Sequence, residues 1–394
     1  MPGNTSTSVK RFLLFFIAGM AIIPTIQKGF HPVYSRPLNG YLKPNPLPEF
    51  SIDSLFSGVY TFRLTKHYDQ GIGFHNDLVR LYNQVDFTLF RIIHARKVVI
   101  GKENYLFEES YLTAFNGTDY KGDAIIDARV RQFSEAQQWL KNEKGILFLV
   151  LLLPDKGAYY PEKVPPRYAR PAGNKTNYET YCSKLKEYGV NHIDFNAWFR
   201  SMKDTSRYPL YPKTGIHWSE YGAFLAFDSL VKYLNKIMNY ELRIMKEGQP
   251  APSNRLPSPV MERITISDSR GRENDMERAC NLLCRIPAPP LAHPQVKFEG
   301  TPSRKPFPAL FIGDSFYYIW AEEGYIGNVF SNRDFWYYDH SVCYGTYNTG
   351  RRAANEDMKQ MLARMDAIII MQTNAGYGEL GYYFVDRLFE KGRN

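Results

Sequence analysis

The sequence predicts an α/β fold on a parallel sheet, preceded by an apolar segment and a helical arm. Residues 146–153 are eight consecutive apolar residues, the pattern of a parallel strand covered on both faces. Strand and helix patterns alternate after residue 98, as a layered sheet requires. Two more apolar runs, 309–312 and 367–371, end in Gly313-Asp314-Ser315 and Gln372-Thr373-Asn374, polar groups where strands stop.

In chain order, Lys10 and Arg11 precede residues 12–26, an uncharged run broken only by Gly19, Pro24 and Thr25. The run has a secretory segment's charged flank, falls short of a full ~20-residue span, and lacks a small-x-small cleavage site before the next charge. An uncleaved signal anchor over residues 1–30 is preferred to a cleaved signal peptide. Basic residues ahead of the run put the N-terminus in the cytoplasm. The expectation is therefore a single-pass protein of the cytoplasmic membrane with an extracytoplasmic, periplasmic domain. A proline-rich tether fills 31–50. Residues 51–97 place Leu78, Leu81, Tyr82, Val85, Leu89 and Phe90 at helical spacing and read as an amphipathic arm.

The main domain, 98–394, opens with a strand at 98–100 and a turn at 101–107. A helix over about 127–142 leads into strand 146–153, and a second over about 178–188 into strand 190–195. His217 starts a helix running to about 234. Between about 247 and 308 the pattern changes: eleven of the 25 prolines lie there and only 275–284 looks helical. This is an insertion that could overlie the active site. Beyond Ser315 come a strand at 334–338, a helix over about 355–365 and the strand 367–371.

The bulk composition, 44% apolar and 23% charged, is that of a globular protein, with a high aromatic share of 15%. The net charge of +9 includes Lys10, Arg11, Lys28, Arg36 and Lys43 near the anchor; acidic glycans or anionic lipid fit it, and nucleic acid is not indicated. Cys280-x-x-x-Cys284 suits neither a disulfide within a helix nor a metal site, and reads as apolar-face residues. Neither a metal nor a cofactor is expected.

Two motifs carry chemistry. Ser315, lifted off a sheet edge by the turn after 309–312, is the candidate nucleophile, and a serine hydroxyl needs an imidazole to take its proton. His217, in Thr214-Gly215-Ile216-His217-Trp218, is the candidate base. The Ser315 N–H and the Asn374 side chain are candidate oxyanion donors, with Gly345 as a further backbone donor. Lys156 follows a core strand and either reaches the site or is a solvated loop lysine. Trp218, Trp320 and Phe335-Trp336-Tyr337-Tyr338 suit core packing better than sugar stacking.

Gly-Asp-Ser on a strand end, an Asn after a later strand, and Gly-Ile-His before a helix resemble the SGNH/GDSL hydrolases, which implies a flavodoxin-like fold of serine esterases and acyltransferases. Their usual order runs from the serine to the histidine. Here "TGIHWSEYGAFLAF" precedes "ALFIGDSFYYIW" and "AIIIMQTNAGYG", so the chain looks circularly permuted. With the anchor, "GKENYLF", "PDKGAYYPEKVP" and "HWSEYGA" resemble the permuted alginate O-acetylation proteins of the AlgJ/AlgX type over about 50–390.

That resemblance implies a membrane-anchored O-acyltransferase, most simply an O-acetyltransferase, acting on hydroxyls of a cell-surface or exported polysaccharide through a Ser315 acyl-enzyme. It also implies a multi-spanning membrane O-acyltransferase as acyl supplier, and a structural role for Asp314. A carbohydrate acetylesterase with the same residues is the first alternative. A catalytically degenerate glycan-binding or export-assembly protein is the second. One departure matters: the family's aspartate two or three residues before the histidine is replaced by Gly215 and Thr214. Thr214 could orient the ring, Asp155 or Asp194 could substitute, or the site could run as a dyad.

Overall fold

The computed structural model describes residues 4–40, 45–245, 256–300 and 307–392. Residues 1–3 of the expected anchor, Lys43 of the tether, and 247–255 and 301–306 of the proline-rich stretch lie outside the described residues. The chain divides into two compact units, residues 1–96 with 277–286, and 97–276 with 287–394.

In the first unit, α1 (Asn4–Phe30) extends through the uncharged run, past Pro24 and into its polar flanks. Its segment Thr7–Phe30 is long and apolar enough to cross a membrane, with mean hydropathy 1.8, which makes it a candidate anchor. The arm consists of α2 (Ile52–Phe56), α3 (Val59–Gln70) and α4 (His75–Val85). The Ser51 side chain caps α2 by accepting the Ser54 N–H. The buried residues of α4 are polar: Arg80 Nη1 and Nη2 donate to the Arg36 and Pro37 carbonyls at 2.7 Å each, and Asn83 Nδ2 to the Cys280 carbonyl at 3.0 Å. Leu78, Leu81 and Tyr82 face outward. The spacing thus marks a helix correctly, but the polar face is the one packed.

The second unit opens with the hairpin of β1 (Val98–Ile100) and β2 (Leu106–Glu108), then α5 (Glu109–Asn116) and α6 (Asp123–Trp139). The sheet strands follow as β3 (Leu147–Leu153) and β4 (His192–Asp194), with α7 (Lys156–Tyr159), α8 (Asn177–Glu187), α9 (Phe195–Ser201) and α10 (Glu220–Met245) among them. Residues 258–299 are not merely turns. They form a long antiparallel ribbon of β5 (Ser258–Ser267) and β6 (Leu291–Glu299), whose connection carries α11 (Asp275–Ala279). The helix expected over 275–284 stops at Ala279; Cys280 is buried and Cys284 exposed. The sheet then continues with β7 (Ala309–Gly313), α12 (Tyr317–Glu322), α13 (Tyr325–Val329), β8 (Asp334–Tyr337), β9 (Ser341–Tyr344), β10 (Tyr347–Arg352), α14 (Met358–Leu362), β11 (Ala367–Thr373) and α15 (Phe384–Arg387).

The seven-stranded sheet has the order β10-β9-β8-β7-β11-β3-β4. It is parallel from β4 to β8 and antiparallel only where β9 and β10 close one edge. The apolar runs are explained by the two cores. Leu149, Leu151, Leu153, Phe311, Ile369 and Met371 pack on one face with α10 and α12, while Phe148, Val150, Leu152, Leu310, Ile312, Ile368 and Ile370 pack on the other with α6 and α14. Both faces of the central strands are covered, so both must be apolar. The chain enters this SGNH-like sheet at β3 and reaches β7, the strand before Ser315, late, which is the permuted order its motifs imply.

Candidate active site

The parallel strands deliver their polar C-terminal residues to one edge, where open α/β sheets bind ligands. β7 and β11 run in register up to Gly313 opposite Met371. The approach is close: a Cβ on Gly313 would lie 2.1 Å from the Met371 carbonyl oxygen. Asp314 then ties the two strand ends together. Its carboxylate accepts the Thr373 N–H at 2.8 Å and hydroxyl at 2.9 Å, and the Phe316 N–H at 3.1 Å. Burial pushes Asp314 upward, with these donors opposing. Asp314 is therefore a strut of the turn, and Ser315, the half-buried residue after it, is left to face the site.

His217 meets Ser315 directly: Nε2 lies 2.8 Å from Oγ. The imidazole is 4% exposed and packs on the Phe316 ring at 5.1 Å. Trp218, fully buried against Phe316 and Trp320 at 5.2 and 5.3 Å, fixes the backbone beside it. Trp320, Phe335 and Trp336 are likewise core residues, whereas Tyr338 is exposed and Tyr318 and Tyr337 are half-buried.

A carboxylate does reach the ring. Asp275 Oδ2 lies 3.1 Å from His217 Nδ1, and Oδ1 accepts the Ile216 N–H at 2.9 Å and the Met276 N–H at 2.8 Å. This corrects the expectation for the orienting group. Asp275, not Thr214, faces Nδ1; Thr214 is fully buried. Asp155 and Asp194 serve elsewhere, accepting the Ala158 and Ala197 N–H groups as caps of α7 and α9 at 2.9 Å each, and burial holds Asp155 at about 8. The missing local aspartate is replaced from the proline-rich stretch. Gly215 makes room for it: a Cβ there would lie 2.4 Å from the Glu273 carbonyl.

Asn374 follows β11 and is buried; its Oδ1 accepts from Asn196 Nδ2, which turns its own Nδ2 donors to the opposite side. Gly345 is not available as expected. It sits in the β9–β10 turn at φ +58° and gives its N–H to the Arg333 carbonyl at 3.1 Å. Lys156 is neither a ligand of the site nor a solvated lysine: it is fully buried, and its Nζ donates to the carbonyls of Leu106, Lys213 and Gly215 at 2.8, 2.9 and 2.6 Å.

Behind Asp275 the buried carboxylates Glu220 and Glu273 meet the exposed Arg270. Arg270 Nε and Nη2 hold Glu220 Oε1 and Oε2 at 3.0 and 2.8 Å, and Glu273 accepts the Glu220 and Arg270 N–H groups at 3.1 and 3.3 Å. Among the described residues, Glu220, Glu273 and His293 form the one convergent group of metal-ligating types, with ligand atoms within 4.8 Å. Arg270 already supplies the countercharge there, and the carboxylates have donors. The network's evident work is to fasten the 270–275 turn to the start of α10.

A serine, a histidine and an aspartate in hydrogen-bond sequence at the edge of a doubly covered sheet fit an SGNH-like fold. Residues 98–248 match the family model ALGX, described as "SGNH hydrolase-like domain, acetyltransferase AlgX". None of the curated protein sequences matches the chain. Among solved structures, it is similar to the O-acetyltransferase domain of Pseudomonas putida AlgJ, at 14% identity and TM-score 0.46 over 75% of this chain and 99% of that one. Pseudomonas aeruginosa AlgX aligns at 15% identity and TM-score 0.43 over 73% and 66%, and Bacillus cereus PatB1 at 13% and 0.42 over 71% and 96%.

Proposed function

We propose that this protein is an O-acyltransferase, most simply an O-acetyltransferase, that modifies hydroxyls of a cell-surface or exported polysaccharide through an acyl-enzyme on Ser315. The observation that carries the reading is the continuous relay Asp275–His217–Ser315 in a chain whose matched family is described as acetyltransferase. With Nδ1–H donated to Asp275, His217 presents the Nε2 lone pair to the Ser315 hydroxyl. Ser315 Oγ attacks the acyl carbonyl carbon as its proton passes to Nε2, and the leaving group takes that proton as the tetrahedral species collapses. The acceptor hydroxyl then gives its proton to Nε2 and attacks the acyl-serine, and Ser315 is regenerated with that proton. The Ser315 N–H and Asn374 Nδ2 are the proposed donors to the oxyanion. The candidate anchor α1 supports a single-pass, extracytoplasmic placement. A multi-spanning membrane protein as acyl supplier is part of the same proposal.

The acid supplied by Asp275 removes the main motive for reading the chain as a degenerate binding protein. Intact-mass analysis of the protein with an activated acetyl ester, beside Ser315→Ala and His217→Ala, tests the proposal. An acetyl adduct on Ser315 that needs His217, and that oligosaccharide discharges faster than water, is expected. Discharge by water alone would make it an esterase, and no adduct with retained glycan binding would overturn the reading.

A further inference from the structure

The peptide group between Gly215 and Ile216 is held at both ends. Its carbonyl accepts the Lys156 Nζ at 2.6 Å and its N–H is donated to Asp275 Oδ1 at 2.9 Å. The other oxygen of that carboxylate faces His217 Nδ1. Lys156 is 0% exposed, and its Nζ contacts, the carbonyls of Leu106, Lys213 and Gly215 and the Phe107 ring face at 5.9 Å, are all uncharged. Three carbonyl acceptors need three N–H donors, which only the ammonium form has. A buried cation needs a countercharge. Burial lowers the Lys156 pKa, and Asp275 is the charged group that opposes the fall.

We propose that Lys156 is a positioning residue for this site, its buried ammonium acting through the Gly215–Ile216 peptide to hold Asp275 aligned on His217. The inference deepens the proposed function and rests on it for its catalytic meaning. Lys156 touches no reacting atom. It acts by fixing the peptide whose N–H is donated to Asp275 Oδ1, so that Oδ2 stays on His217 Nδ1. The charged groups that face His217 are Asp275, Glu108 and Asp314, and of these Asp275 is the one tied to Lys156 through the Gly215–Ile216 peptide.

The test is an NMR titration of the full chain in micelles, with histidine labelled at Cε1 and lysine at Cε, comparing wild type with Lys156→Met; His217→Ala assigns the His217 signal. In Lys156→Met the His217 Cε1 signal is expected to shift as its Asp275 contact is lost, and kcat for an acetyl ester to fall with KM nearly unchanged. A folded Lys156→Met protein with an unmoved His217 signal and an unchanged kcat overturns the assignment, since a merely structural lysine would leave both alone. If Lys156→Met does not fold, the wild-type lysine signal decides: an ammonium persisting through pH 8 supports the proposal, and a neutral amine at pH 7 refutes it. These titrations need no turnover. A shifted His217 without an acyl adduct would therefore sink the acyltransferase reading and leave the Lys156 assignment standing.

Discussion

Replacing Asp275 with Asn isolates the orienting role of the long-range acid. Oδ1 of Asp275 accepts two backbone N–H groups, from Ile216 and Met276, while Oδ2 faces His217 Nδ1. An asparagine must keep its oxygen on the two backbone donors, because the flipped amide would set its NH2 against both. Its NH2 then faces Nδ1, and the imidazole carries its proton on Nε2, pointed at Ser315. That tautomer cannot take the serine proton. Wrong-tautomer substitutions in serine triads cost about 10⁴ in kcat, or about 5 kcal/mol at 1.36 kcal/mol per decade. Asp275→Ala differs in kind: it leaves the Ile216 N–H without its acceptor, a loss of ~1–3 kcal/mol of stability, yet imposes no tautomer. Asn should therefore be the worse catalyst and Ala the less stable protein. Turnover of an activated acetyl ester and urea unfolding measure the two quantities. Asp275→Asn activity within about threefold of wild type would refute the assignment, because threefold is far below the ~10⁴ that the tautomer argument requires.

Other expectations follow from the same geometry. Asn374→Ala should lower kcat by ~10²–10³ with KM nearly unchanged, whereas Asn196→Ala, which only frees Asn374 to rotate, should cost less in the same acyl-transfer assay. Gly215→Ala places a Cβ 2.4 Å from the Glu273 carbonyl and should displace the turn that carries Asp275, so its activity should fall toward that of Asp275→Ala. Asp155, held at about 8 by burial, binds its proton in the fold when the unfolded chain has already released it. Its contribution is fully present below the unfolded value near ~3.9 and is lost as pH rises through about 8. Thermal melts of Asp155→Asn, which keeps an acceptor for the α7 cap, should fall less steeply over that window than those of wild type.

The sheet was legible because β3, β7 and β11 are buried on both sides, and such strands cannot conceal themselves as amphipathic patterns. The pairing of Ser315 with His217 was legible for a related reason: a serine in the turn after a buried strand and a histidine just before a helix occupy fixed places in the chain. Asp275 was not. It lies 58 positions from its histidine, in a stretch whose prolines suggested turns, and its role depends on a ribbon whose pairing is entirely non-local. Lys156 was placed at the correct strand end, but nothing in "PDKG" says that its ammonium turns inward to three carbonyls. Arg80 and Asn83 show the converse, since periodicity gives the helix but not which face finds a partner.

The recruitment of the acid from the β5–β6 connection makes activity a reporter of assembly. During synthesis the segment 98–248 emerges first, and of the three relay residues it contains His217 alone; Asp275 and Ser315 come later. A chain folded only that far has a base with nothing to orient it and nothing to deprotonate. On the proposed mechanism, reactivity would need the ribbon and β7 both docked. A single proteolytic cut in the ribbon's connection would silence the site without touching the sheet.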